Sequence, residues 1–377
     1  MKIIQIVENL DRGAVENWIV RTFIESNKQR PNWRWTFYCI LGKPGRLDEI
    51  VKQAGGLIIY APVWINNKFK FLKHLRSVLK QGQYDILHAH HDFLSGFYLL
   101  ASWGIKFNKR ILHLHNNGRA LPVGNKRLND FLIYPFRLSA YYFSDVILGI
   151  SRFTLKDFTR GSKFGLSSRE EVLYCGIDLS GFQNTEPGIQ LRSQLGLPKG
   201  SKILLFIGRL IEYKNPLFVV DILEEILKIR KDVYAIFVGN GNLEGTIESK
   251  ARALEIAEKV IVMGWRDDIP AIMLESDVIV LPGLEEPKEG LGLVVVEAQA
   301  AGLPAFITHS IIEDAVVIPS LVQYLPLANN PKEWALKIHT TLEKGSPVTR
   351  EAAFKQVRES PFELALATRN LISIYES

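Results

Sequence analysis

Residues 285–302 read EEPKEGLGLVVVEAQAAG, a run in which Glu289 and Glu297 flank a glycine-broken apolar stretch that carries no other charge. A carboxylate withdrawn from water is costly unless a cation, a hydrogen-bond donor or a ligand meets it. Two of them here require solvent or a ligand, with a structural salt bridge as the plain alternative. Upstream, KILLFIG (202–208) runs into RLIEYKNP, which puts Arg209 and Lys214 in one loop before Asn215-Pro216 opens the helical LFVVDILEEIL. Two cations beside a helix N-terminus form an anion site, because unpaired N–H groups and the helix dipole point the same way. A pair of exposed surface cations is the alternative.

Two further segments repeat the strand-then-glycine pattern. In YAIFVGNGNLE, Gly239 and Gly241 would let backbone approach a phosphate or sugar closely, or would simply form a tight turn. KVIVMGWRDDIP ends a strand with Gly264 and then Trp265 and Arg266. The Trp265 ring could hold a nucleobase, or could pack within its loop. In the first half, His88, His90, His91, His113 and His115 gather near two strand ends, with Asp85 and Asp92 close by. These residue types suit a metal-dependent hydrolase. The spacing puts His88 and His90 on one side of a strand, which also suits histidines packed into a core.

The elements that must position these groups read as short apolar runs alternating with longer helical segments, the pattern of a parallel α/β architecture. Strands are expected over 2–7, 35–41, 56–61, 85–90, 109–115 and 145–151. A second series is expected over 202–208, 234–239, 259–264, 277–283 and 303–308. LVVVEAQAA is assigned to helix despite its three valines, because parallel strands need a crossover before LPAFIT. Residues 66–81 show a helical period through Phe69, Leu72, Leu75, Val78 and Leu79. The reading is two doubly wound domains, residues 1–185 and 201–358, joined by a Gly- and Pro-bearing linker over 186–200. In such sheets ligands bind beyond the carboxyl ends of the strands, and two domains leave a cleft between them.

The totals agree with that organisation. A chain of 377 residues with 47% apolar and 23% charged residues is globular and long enough for two cores. The two cysteines, Cys39 and Cys175, lie far apart and lack metal-type spacing, as expected in a reducing compartment. The N-terminal apolar run is broken by Gln5 and Glu8, unlike a signal peptide, and FLSGFYLLASWGI (93–105) is too short for a membrane span. A cytoplasmic protein is expected. The net charge of +6 is concentrated in 68–80 and 110–127. Such a patch suits an anionic membrane face or a phosphorylated substrate, and no nucleic-acid motif accompanies it.

Taken in order, Gly208-Arg209, Lys214, Gly239-Asn240-Gly241, Gly264, and Glu289 and Glu297 separated by seven residues resemble the retaining glycosyltransferases of family 4, which have the GT-B fold. E-G-L-G-L…E-A-Q-A-A-G-L-P (289–304) carries the closest likeness. The resemblance extends to RGAVENWIV (12–20), where Gly13 and Glu16 are kept and Ala14 replaces a glycine. It also covers RILHLHN (110–116), LYCGIDLSGF (173–182) and a final helix within 359–377 that crosses back to the first domain.

The resemblance implies two Rossmann-like domains facing a cleft, and transfer of a hexose from a nucleotide diphosphate sugar with retention. UDP is favoured over GDP, and the acceptor is a glycan or lipid-diphosphate-linked chain in bacterial-type surface polysaccharide synthesis. Arg209 and Lys214 would hold the diphosphate, Glu297 the ribose hydroxyls, and Glu289 the donor sugar beside the backbone of Gly290, Leu291, Gly292 and Leu293. Gly239, Gly241, Trp265 and Arg266 would line the nucleotide, while Gly13, Ala14 and His115 would act from the first domain. Glu285 and Glu286 compete for the role given to Glu289. Neither a metal nor a cofactor beyond the nucleotide sugar is implied. An epimerase or a glycosyl phosphorylase on the same fold is the nearest alternative chemistry.

Overall fold

In the computed structural model, which describes residues 1–11, 13–62, 67–116, 126–159, 169–183 and 191–377, the strand and helix signals resolve into two parallel sheets in two units. The readings at Arg12, at 117–125 and at 186–190 lie outside the described residues. One unit comprises Met1–Ile177 and Leu364–Ser377; the other comprises Asp178–Glu363.

In the first unit the strands are β1 (Lys2–Val7), β2 (Arg34–Cys39), β3 (Leu57–Tyr60), β4 (Ile86–Ala89), β5 (Lys109–Leu114), β6 (Val146–Gly149) and β7 (Glu170–Val172). They run in the order β3-β2-β1-β4-β5-β6-β7. Alternation sends Ile4, Ile6, Tyr38, Leu87, Ala89, Leu112 and Leu114 into one core with Phe71, Leu75, Leu79, Tyr98 and Leu99 of the helices Lys68–Gly82 and Ser95–Ala101. The helix Lys68–Gly82 therefore buries Phe71, whereas Phe69, assigned to its apolar stripe from the sequence, is 90% exposed. A stripe centred on Phe71, Leu75 and Leu79 has the i, i+4 spacing that one packed face needs, and Phe69 falls off it. The helices Ala14–Gln29 and Leu364–Glu376 pack against each other.

The second unit holds β8 (Lys202–Ile207), β9 (Val233–Val238), β10 (Val260–Gly264), β11 (Val278–Leu281), β12 (Ala305–Ile307) and β13 (Val322–Tyr324), in the order β10-β9-β8-β11-β12-β13. β8, β9 and β11 are almost wholly apolar and buried, as central parallel strands covered on both faces must be. The strand order reverses between β8 and β11, so the loops leaving these two strands start side by side. The three valines of Leu293–Ala300 are helical, because the chain must cross over between the parallel β11 and β12.

Two strands were not legible in the sequence. β7 (EEV) and β13 (VQY) are three-residue edge strands with polar positions, too short for a period to show. The domain boundary also differs from the composition. The break falls at Ile177/Asp178, and the described part of the expected linker, 191–200, belongs to the second unit. The reason is Arg192, which donates to Asp277 Oδ2 at 2.7 Å, Glu275 Oε2 at 2.9 Å and the Ser201 carbonyl at 2.9 Å. Asp277 Oδ2 in turn accepts from the Ile203 amide at 2.9 Å, so this segment ties β8 to the start of β11. Among the described residues, no helix is long and apolar enough to cross a membrane.

Arg192→Ala removes a half-buried cation from two carboxylates and should cost roughly 2–3 kcal/mol of the second unit's stability. Urea unfolding followed by a probe in that unit checks this; an unshifted midpoint would show that 191–200 is not part of its fold.

Candidate functional site

The reversal between β8 and β11 brings Lys214 and Glu289 together. Lys214 Nζ donates to Glu289 Oε1 at 2.6 Å across 75 residues of sequence, with both side chains about one-fifth exposed. Each partner is held in place by its own loop. On the β8 side, Asn215 takes a left-handed conformation (φ 55°), tolerable for Asn, and its side chain donates to the Pro282 carbonyl at 3.1 Å. Pro216 then opens the helix Pro216–Ile229. On the β11 side, the Leu284 amide donates to the Tyr213 carbonyl at 2.8 Å, and the Glu289 amide donates to the Ser310 carbonyl at 2.8 Å.

Ser310 is itself fixed: the Thr308 hydroxyl donates to the Gly283 carbonyl at 2.6 Å and lies 2.8 Å from Ser310 Oγ. Thus the loops after β8, β11 and β12 form one hydrogen-bonded bracket around the carboxylate. Glu285 and Glu286 are exposed, unlike Glu289. Arg209 is exposed and hydrogen-bonded to the Tyr213 hydroxyl, and both Arg209 and Lys214 lie within 6 Å of the Tyr213 ring centre. One tyrosine therefore orients both cations expected at an anion site.

Glu297 lies in the helix Leu293–Ala300, half-buried. Gly292 precedes that helix at φ +86°, and a methyl there would meet Ile311 Cγ2 at 2.7 Å, so only glycine fits. Leu291 is buried, and Gly290 and Leu293 are partly exposed on either side of it. At β9, a Cβ on Gly239 or Gly241 would lie 2.1 Å from the carbonyl oxygen of Gly208 or Leu210, respectively. The close backbone approach inferred from this G-x-G is thus to the chain's own β8 loop. Trp265 is 52% exposed with its indole nitrogen 3.3 Å from Asp267, and Arg266 is paired with Asp268 at 2.6 Å.

Sequence reasoning missed Gln299, Thr308, Ser310 and Tyr213. Gln299 is fully buried: its amide donates to the Val295 and Ala315 carbonyls, and its oxygen accepts from the Val317 and Ile318 amides. A glutamine within an apolar helix was the available signal, since a buried amide must find partners.

In the first unit, Gly13 precedes the helix Ala14–Gln29, whose first residue, Ala14, is exposed. The histidines face the other side of the sheet from the core above, against Trp18, Gln5 and Tyr375. His90 Nε2 lies 2.6 Å from Gln5 Oε1, so it carries a proton and leaves Nδ1 to accept from His115 Nε2 at 2.9 Å. His115 Nδ1 is then an unprotonated, buried acceptor with no protein partner. His88 bridges the Tyr375 hydroxyl at 2.7 Å and His113 Nδ1 at 3.2 Å. Asp92 accepts from the His115 and Asn116 amides at 2.7 and 3.1 Å and so sets the end of β5. Donor atoms of His88, His90 and His113 lie within 4.8 Å of one another, close enough for one ion, yet all three rings are engaged in this hydrogen-bonded chain.

Two family models match, residues 34–180 to Glycosyltransferase Family 4 and residues 189–359 to Glycosyl transferases group 1. The first match falls within the first unit apart from its last residues, and the second falls within the second unit. EpsF of Bacillus subtilis strain 168 is 26% identical over 99% of this chain and 96% of its own length. A UDP-Gal:alpha-D-GlcNAc-diphosphoundecaprenol alpha-1,3-galactosyltransferase of Escherichia coli is 33% identical over 37% of this chain and 36% of its own. Among solved structures, HepE of Anabaena in complex with UDP superimposes with a TM-score of 0.81 at 17% identity, covering 100% of both chains. That likeness shows the GT-B fold for this chain.

Burial holds His88, His90 and His113 well below the usual imidazole range, and desolvation places His115 at about 3. Unfolding returns all four to about 6.5, so the unfolded chain binds more protons below that pH. Stability from these neutral rings is complete above pH 6.5 and falls as the pH drops from there toward 3, by about 1.4 kcal/mol per unit for each ring kept neutral. Denaturant titrations at pH 7 and pH 5 should show the first unit weakened at pH 5; equal midpoints would contradict neutral burial.

Proposed function

We propose that this chain is a retaining hexosyltransferase that uses a UDP-sugar and elongates a glycan or lipid-diphosphate-linked acceptor in bacterial-type surface polysaccharide synthesis. The observation that carries the reading is the bracketed Lys214–Glu289 pair at the strand-order reversal of the group 1 domain, with Arg209 beside it and a helix starting at Pro216. UDP in the HepE structure supports the nucleotide, and the printed donor and acceptor of the Escherichia coli relative support a UDP-sugar and a lipid diphosphate.

In this reading the bond from the anomeric carbon to the diphosphate breaks, and one to the acceptor oxygen forms on the same face of the sugar. The acceptor proton passes to the departing diphosphate. Arg209, Lys214 and the helix N-terminus meet the charge that grows on the leaving group, so no metal is assigned to the site. Glu289 accepts hydrogen bonds from sugar hydroxyls, beside the backbone of Gly290 to Leu293, and Glu297 accepts those of the ribose. Trp265 and Arg266, with Gly239 and Gly241, lie toward the base. His115, from its tautomer, serves as a neutral acceptor, and Gly13 and Ala14 stand at the start of a helix in the same domain.

Incubation with a panel of UDP-sugars and undecaprenyl-diphosphate glycans, with products read by mass spectrometry, tests the reaction. A transferred hexose supports it; a converted but untransferred sugar would instead indicate an epimerase. Lys214→Ala should lower turnover by about 100-fold or more through lost leaving-group stabilisation. Glu297→Ala should chiefly weaken nucleotide binding, seen as a smaller thermal shift with UDP. Wild-type turnover in Lys214→Ala would remove the diphosphate role.

A further inference from the structure

The buried histidines and the last helix are joined by hydrogen bonds that all run one way. His115 Nε2 donates to His90 Nδ1 at 2.9 Å, and His90 Nε2 donates to Gln5 Oε1 at 2.6 Å. The Gln5 amide then donates to the Tyr375 hydroxyl at 2.9 Å. A hydroxyl has one proton, so Tyr375, accepting from Gln5, gives its own to His88 Nδ1 at 2.7 Å. His88 Nε2 is left to donate to His113 Nδ1 at 3.2 Å. This series begins at His115 Nδ1, a buried lone pair without a protein partner, and ends at His113 Nε2, a buried proton without one.

All six side chains are 5% exposed or less, so bulk water does not exchange partners with any one of them. A neutral ring has one donor and one acceptor nitrogen. Reversing a single ring would therefore set proton against proton on one side and lone pair against lone pair on the other. Tyr375 links the two halves of the series: Gln5, His90 and His115 on one side, His88 and His113 on the other. Without its hydroxyl the Gln5 nitrogen has no partner, and the amide can turn over with only two rings to follow. His115 Nδ1 then carries the proton.

We propose that Tyr375 is a positioning residue, which fixes the tautomer of His115 through Gln5 and His90. In the proposed reaction His115 is a neutral acceptor. A lone pair there favours the positive charge that grows on the sugar as the diphosphate departs, and an N–H would oppose it. A histidine held in the wrong tautomer loses activity with its position unchanged. The effect on turnover rests on that reading of the reaction, whereas the tautomer itself is measured without any sugar.

The hydroxyl can be removed without releasing the helix Leu364–Glu376. Arg30 holds Glu376 through two bonds at 2.6 and 3.0 Å, Lys109 Nζ donates to the Ile374 carbonyl at 2.5 Å, and the Tyr375 ring packs on Trp33 and Trp35. Nitrogen NMR of the histidine-labelled full chain, with His115 assigned from the signals lost in His115→Gln, tests the proposal. The wild type should show one His115 tautomer, with Nδ1 unprotonated. Tyr375→Phe should show both tautomers, with kcat about tenfold lower and KM for the UDP-sugar unchanged. Arg30→Ala loosens the end of the helix but touches none of these bonds, and should keep the wild-type tautomer and kcat. A single unchanged tautomer in Tyr375→Phe would overturn the proposal, as would mixed tautomers with wild-type kcat. A wild type that transfers no sugar would refute the reaction instead, and the tautomer comparison would still decide whether Tyr375 governs His115.

Discussion

A lysine and a glutamate 75 residues apart meet at 2.6 Å because two neighbouring strands of a parallel sheet send their loops in opposite directions around it. This contact organises the second unit's candidate site. Lys214 is fixed by a left-handed Asn215 and the helix it opens, and Glu289 by an amide bond to Ser310 that Thr308 supports. Removing either charge would leave its partner part-buried without its counter-charge, unlike an ordinary surface pair. A ligand bearing both negative charge and hydroxyl groups would divide the pair's work: anion to the lysine, hydroxyls to the carboxylate.

Much of this was legible from the residues. The positions of Lys214, Glu289 and Glu297 on loop, loop and helix followed from apolar runs, a Pro at a helix start and the need for a crossover before β12. Other features were not. Phe69 and Phe71 are chemically alike and two residues apart, and only the packing of the helix decides which is buried. The role of Gly239 needed the facing carbonyl of Gly208, a contact set by strand pairing rather than by local sequence. Gln299 and Thr308 act through backbone groups, which a sequence does not display. The break at Ile177 was hidden because Arg192, in a segment composed like a linker, is committed to Asp277 and Glu275.

The first unit shows how the same alternation that builds a core can build a polar layer. On β4 and β5, Leu87, Ala89, Leu112 and Leu114 face one side, while His88 and His113 face the other and join His90, His115, Gln5 and Tyr375. Burial keeps each ring neutral, and a neutral ring offers its neighbours one donor and one acceptor nitrogen. The chain of bonds ends at His115 Nδ1, a lone pair without a protein partner at the end of β5.

The central claim is that the β8 loop with its paired cations is a diphosphate site. Calorimetric titration of UDP and of uridine into the wild type and into Arg209→Met/Lys214→Met tests it most directly. The account predicts that UDP binds about 100-fold or more tightly than uridine to the wild type, and that this gap largely closes in the double variant while uridine affinity stays the same. An equal preference for UDP in both proteins would contradict it.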